Sequence, residues 1–110
     1  MGNMEKNIEW LVKHGYTNVY TDEGGLYDVY QKDTTFSIST VMERHLGFYI
    51  MIYIPRREEV KVCWGALFAG GLELSTNKME SAEDCAEFLL NEILHTTNSL
   101  KEAAEKMKNE

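Results

Sequence analysis

A single proline and two cysteines in 110 residues leave this chain without a proline-rich linker, a disulfide framework or zinc-type ligand spacing. Cys63 and Cys85 stand far apart and outside any C-x-x-C arrangement, which predicts reduced, buried and inert thiols. Positive charge is scarce as well. Eleven Lys and Arg face 18 Asp and Glu, a formal net charge of −7, which argues against binding phosphate backbones or anionic membrane through a basic patch. No direct contact with nucleic acid and none with membrane is expected, and basic proteins are the expected partners. No apolar stretch approaches the ~18 residues of a membrane-spanning helix. The start "MGNMEKNIEW" passes directly into an amphipathic pattern, and Lys6 stands where a myristoylation signal wants Ser or Thr. A soluble, unexported, cytoplasmic protein is the expectation.

What is present is enough for one folded unit. Hydrophobic residues make up 44% of a chain near the modal domain size, so a single domain over residues 1–110 with one core is expected. About a third of the extended-chain surface stays exposed at this size, so a surface function is favoured over a deep pocket.

Met4, Ile8, Leu11 and Val12 recur at helical spacing after Asn3, a candidate N-cap, and predict a helix ending at "HGY". Gly15 there suits the left-handed C′ position, with Tyr16 folding back on the last turn. From Thr17 to about Lys78 the chain turns to β-branched and aromatic residues, punctuated by "DEGG", "QKDT", "ERHLG", "PRREE" and "AGG". Five turns imply about six strands, and gaps too short for crossover helices imply an antiparallel meander. Phe36, Ile38 and Met42 alternate with Thr35, Ser37 and Ser39; Val60, Val62, Trp64 and Phe68 alternate as a core face with Lys61, Cys63 and Gly65. In "GFYIMIYIP" the face Leu46, Phe48, Ile50, Ile52 and Ile54 belongs under the helices. The other face, Gly47, Tyr49, Met51 and Tyr53, carries phenols and a thioether that suit a half-wet surface or another protein. This strand is expected at the centre, between the 34–42 and 60–68 strands and closed by Pro55.

Ser81 opens a capping box with Asp84, and Cys85, Phe88, Leu89 and Ile93 mark an apolar stripe. A helix over residues 82–109 would run roughly 42 Å at 1.5 Å per residue, longer than such a domain is wide. A break at "HTTNS" is expected, with Ser99 and Glu102 forming a second capping box ahead of Leu100, Ala103, Ala104 and Met107. The fold class is therefore α+β: an N-terminal helix, an antiparallel meander and a C-terminal helical segment packed on one sheet face.

No catalytic motif emerges. His14, His45 and His95 are too dispersed for a metal site, Glu92 and His95 form one E-x-x-H pair rather than two, and the glycines make no phosphate-binding loop. "ERH" at 43–45 lies in a turn where neighbouring side chains point apart. Neither an enzyme nor a cofactor is expected.

Charge placement carries more. Glu80, Glu83, Asp84, Glu87 and Glu92 lie in a stretch to Asn98 that has no Lys or Arg. The helix dipole accounts for Glu83 and Asp84, but Glu83 and Glu87 repel each other one turn apart. Asp22, Glu23, Asp28 and Asp33 form a second acidic group in the early hairpin. All six tyrosines, Tyr16, Tyr20, Tyr27, Tyr30, Tyr49 and Tyr53, fall on the helix end and the first sheet strands, and tyrosine is enriched at binding hot spots. Solvation of an acidic surface and lining of a small core are the plain alternatives.

Small size, acidity, a helix flanking a bare sheet and the lack of a catalytic signature together are similar to the general profile of phage-encoded inhibitors, anti-CRISPR and anti-restriction proteins among them, and of toxin-immunity proteins. That resemblance implies a non-enzymatic inhibitor that blocks a basic nucleic-acid-handling enzyme by charge mimicry. Its expected contacts are the acids at 80, 83, 84, 87, 92, 22, 23 and 28 with Tyr27, Tyr30, Tyr49 and Tyr53. Ligand binding on the open sheet face, using Tyr49, Tyr53, His45 and a thiol, is the rival expectation, and a homodimer through that face a third.

Overall fold

A computed structural model describes residues 2–39, 44–57 and 59–109, with side chains placed over 4–33, 47–57 and 59–109. Helix α1 (Gly2–Lys13) is followed by strands β1 (Thr17–Thr21), β2 (Tyr27–Ser39), β3 (Arg44–Pro55), β4 (Cys63–Ala69) and β5 (Leu72–Met79), then by helix α2 (Ala82–Lys108). The strands pair in sequence order as a five-stranded antiparallel meander, and the α+β expectation holds.

One strand fewer forms than the turn signals suggest, because "QKDT" is not a turn. It lies inside the 13-residue β2, with Gln31, Lys32, Asp33 and Thr34 opposite Met51, Ile50, Tyr49 and Phe48. Gln31 Nε2 donates to Asp33 Oδ1 at 2.9 Å along one strand face, which suits these polar residues to extended backbone. Helix α1 begins at Gly2, so Asn3 is a helical residue rather than the N-cap. Its C-terminus closes as expected: Gly15 has φ of 88°, its N–H donates to the Val12 carbonyl, and the Tyr16 N–H donates to the Leu11 carbonyl at 2.9 Å.

Both helices lie on one face of the sheet. Phe48, Ile50, Ile52 and Ile54 point toward them and pack with Leu11, Tyr16, Leu67, Cys85, Leu89 and Ile93. On β4 the expected faces are exchanged: Cys63, Gly65 and Leu67 meet the helices, whereas Trp64 is 42% exposed. Room decides this. A β-carbon at Gly65 would lie 3.0 Å from Leu89 Cδ1 and 3.3 Å from Cys85 Cβ, so α2 is seated where no side chain rises from the strand. Asn7 ties the layers together, accepting from the Ala82 N–H at 3.0 Å and donating toward Cys63 Sγ.

Helix α2 does not break at "HTTNS". The Thr96 and Thr97 hydroxyls each donate at 2.9 Å to the carbonyls of Glu92 and Ile93, which satisfies them within a continuous helix. Ser81 accepts from the Asp84 N–H and caps the start, whereas Ser99 lies mid-helix. The 27-residue helix runs past the sheet, leaving Leu94, Leu100 and Met107 more than half exposed in a molecule 56 Å long.

Candidate functional site

The face of the sheet that carries no helix is the most distinctive surface. Register places Tyr49, Met51 and Tyr53 there, across from Asp33, Gln31 and Val29 on β2 and from Phe68, Ala66 and Trp64 on β4. This was the expected orientation of Tyr49 and Tyr53. Tyr49 stacks on Phe68 with centroids 5.0 Å apart, and its hydroxyl donates to the Gly70 carbonyl. Tyr27 meets Tyr53 edge to face at 6.4 Å, and the Tyr20 and Tyr53 phenols are hydrogen-bonded. Lys78 Nζ sits 5.4 Å from the centroid of Trp64.

This face is hollow rather than flat. Strands β1 and β5 would lie roughly 19 Å apart in a flat sheet at ~4.8 Å per strand. Yet Asp22, from the β1–β2 turn, and Glu73, from β5, line one depression of about 360 Å³ with Tyr27, Tyr53, Trp64 and Phe68. Val29, Met51 and Ala66 on this face are buried without a helix above them, and Ala66 lines the hollow itself. Register shifts in β1–β2 and β4–β5 supply the extra twist that curls the edges inward. Burial first, then the Tyr20 hydrogen bond and the charges of Glu73 and Asp22, push the Tyr53 phenol up to about 12. Asp22 is fixed by its turn: its Oδ1 accepts from the N–H groups of Leu26 and Tyr27 at 2.8 and 3.1 Å, and Gly25 supplies φ of 66°.

The acidic helix lies on the opposite side of the molecule. Glu80, Glu83, Asp84 and Glu87 are exposed and Glu92 is half-buried. Among the described residues none of them is in an ion pair, and Glu80, Glu83 and Asp84 border a groove of about 450 Å³ with Lys6, Asn7 and Trp10. The early acidic group is divided. Asp22 faces the hollow, Glu23 is exposed in the turn, and Asp28 lies on the helix side, bonded to Thr21 Oγ1 at 2.7 Å and 3.8 Å from Arg56. Tyr30 is 8% exposed in the core, opposite Ile52, and so offers a partner almost no surface. The expected contact residues therefore form two surfaces, not one. Trp64, Phe68 and Glu73 join the open face without having been singled out from sequence; the signal was Trp64, whose outward face was misassigned.

The thiols are remote from this face. Cys63 and Cys85 are buried beneath α2, and Cys85 Sγ donates to the Cys63 carbonyl at 3.4 Å. Burial pushes Cys63 up to about 12 and Cys85 up to about 11, so neither is a nucleophile at neutral pH. The ligand reading that paired a thiol with Tyr49 and Tyr53 is corrected accordingly; the His45 side chain and Glu43 lie outside the described residues. His14 stacks on Trp10 and bonds its carbonyl, and His95 is exposed. Among the described residues no three His, Cys, Asp or Glu are grouped to hold a metal ion, and no helix is long and apolar enough to cross a membrane. Comparison with protein-family models, curated proteins and solved structures finds no match for this chain.

Proposed function

We propose that this chain is a non-enzymatic acidic protein that binds a basic protein partner, and that it acts as an inhibitor by occupying a surface made for phosphates on a nucleic-acid-handling enzyme. The observation that carries this reading is the exposed carboxylate set of Glu80, just before the helix, and Glu83, Asp84 and Glu87 on the first turns of α2, with no described cation in an ion pair with it. Glu83 and Glu87, one turn apart, repel each other by a few tenths of a kcal/mol, and the helix dipole offsets this at Glu83 and Asp84 but not at Glu87. A basic partner recovers that cost and is steered in by the net negative field.

The test is retention of partner from lysate at low salt after nuclease treatment, compared with the Glu83→Lys, Glu87→Lys, Glu92→Lys triple variant. A basic protein held by the native chain, released by moderate salt and lost in the variant supports the reading. Retention by the variant equal to that of the native chain sinks charge mimicry by this helix.

A second reading, binding of a small ligand on the open sheet face, is favoured by the aromatic hollow there. A thermal shift with a metabolite set that disappears in Tyr53→Ala supports it; no shift with any of them counts against it.

A further inference from the structure

We infer that the hollow on the open sheet face is a receptor for an arginine side chain presented by the basic partner. The inference rests on the basic-partner reading above and assigns it a second, chemically specific contact on the face opposite α2. Tyr27, Tyr53, Trp64 and Phe68 supply aromatic walls, and Asp22 and Glu73 bring carboxylates from opposite edges of the sheet onto the same space. An aromatic hollow alone accepts any apolar group. One flanked by two acids selects a cation with a flat, weakly hydrated face, which is the description of a guanidinium rather than an ammonium.

Two details of the molecule fit that chemistry. Lys78 already places its ammonium 5.4 Å from the Trp64 centroid, so the indole face attracts a cation where one is available. Asp22 spends one oxygen, Oδ1, on the turn N–H groups, and among the described residues Oδ2 has no hydrogen-bond partner. A carboxylate held rigid through one oxygen presents the other without reorganisation, which is the condition for a strong charge-assisted bond to an incoming donor. Lys78 is also a cation resident beside the Trp64 wall of the hollow, and it opposes a second positive group there.

The experiment is a titration of the ¹⁵N-labelled chain with N-acetyl-arginine amide, following the two indole N–H signals at constant ionic strength. The expected result is a saturable shift of the Trp64 signal with the Trp10 signal unmoved. Glu73→Gln is expected to weaken the apparent affinity threefold or more, Glu105→Gln, an exposed carboxylate on the distal part of α2, to leave it unchanged, and Lys78→Gln to strengthen it twofold or more by removing the resident cation. No saturable shift at Trp64, an equal shift with sodium chloride, or native affinity in Glu73→Gln overturns the inference. Tighter binding of tetramethylammonium than of the arginine amide also overturns it, and assigns the hollow to a free organic cation. Because no partner is present, this titration fails or succeeds independently of the lysine reversals on α2. Loss of partner in those reversals with a silent Trp64 leaves the basic-partner reading standing without this receptor.

Discussion

Replacing Gly65 by alanine tests how α2 is held on the sheet. The new β-carbon would stand 3.0 Å from Asn77 Oδ1, 3.0 Å from Leu89 Cδ1 and 3.3 Å from Cys85 Cβ, and two of those atoms belong to buried residues of α2. Overpacking a tight interface costs ~1–3 kcal/mol. Against it stands the lower chain entropy of unfolded alanine, worth ~0.4–1 kcal/mol, which the backbone at 65 accepts because its φ is not positive. The net expectation is a loss of about 1–2 kcal/mol, or roughly 5–10 °C in Tm for a domain of this size. Gly47→Ala is the control, since nothing lies within 4 Å of its β-carbon and its neighbours need not move. Urea denaturation followed by far-UV circular dichroism reads both, with an unchanged slope showing that only stability moved. A Gly65→Ala protein as stable as native would mean that α2 does not rest against β4 at this point. The face assignment that leaves Trp64 and Tyr53 open would then fall with it.

Further outcomes follow from the buried groups and the helix overhang. The thiols of Cys63 and Cys85 should be silent to Ellman's reagent at pH 8 in the folded protein and react fully in urea; rapid reaction of either in the native state contradicts their burial under α2. Both are raised above an unfolded value near 9, so their contribution is fully present below pH 9 and is lost as pH rises toward about 11 and about 12, at up to ~1.4 kcal/mol per pH unit per thiol. A urea midpoint that stays flat from pH 9 to 11 would contradict those shifts. Tyr16→Phe should leave stability unchanged or raise it by ~1 kcal/mol, because the Tyr16 hydroxyl is buried with no partner among the described residues and burial raises it to about 12; a loss above ~1 kcal/mol would show that the hydroxyl is bonded. Ending the chain after Asn98 removes helix whose described residues are all exposed, so urea stability should fall by less than ~1 kcal/mol. A much larger loss would mean that Leu100 and Met107 are covered in solution.

The periodic parts of the fold were legible because each had a local physical cause. Gly15 after a short amphipathic run specifies a helix end, Ser81 with Asp84 specifies a helix start, and the alternation of Phe48, Ile50, Ile52 and Ile54 specifies one buried strand face. The misreadings share another cause. "QKDT" resembles a turn until β3 supplies a partner for each of its residues, and "HTTNS" resembles a break until two threonine hydroxyls find the carbonyls four residues back. Gly65 looked like the weak face of β4 because a glycine shows no hydrophobicity, although its emptiness is what admits Leu89. Pairing and packing between distant segments decided all three, and none of that is written in a local window.

The same limit explains why the acids and tyrosines read as one site and fold into two. Tyr27 is a neighbour of Asp28 and Tyr30 in sequence, but a strand sends alternate residues to opposite faces, so Tyr27 faces the hollow, joined there by Asp22 from the preceding turn, while Asp28 and Tyr30 lie on the helix side. Glu83 and Glu87 stand on the exposed side of α2, with the whole sheet between them and Tyr53. A single flat basic surface therefore reaches either the helix carboxylates or the aromatic hollow, while a partner that engages both must wrap the molecule. Charge reversal on α2 and Glu73→Gln separate these geometries. With a partner on one surface, only one of the two changes weakens binding; with a wrapping partner both do, and their free-energy costs add because the sites share no contacts.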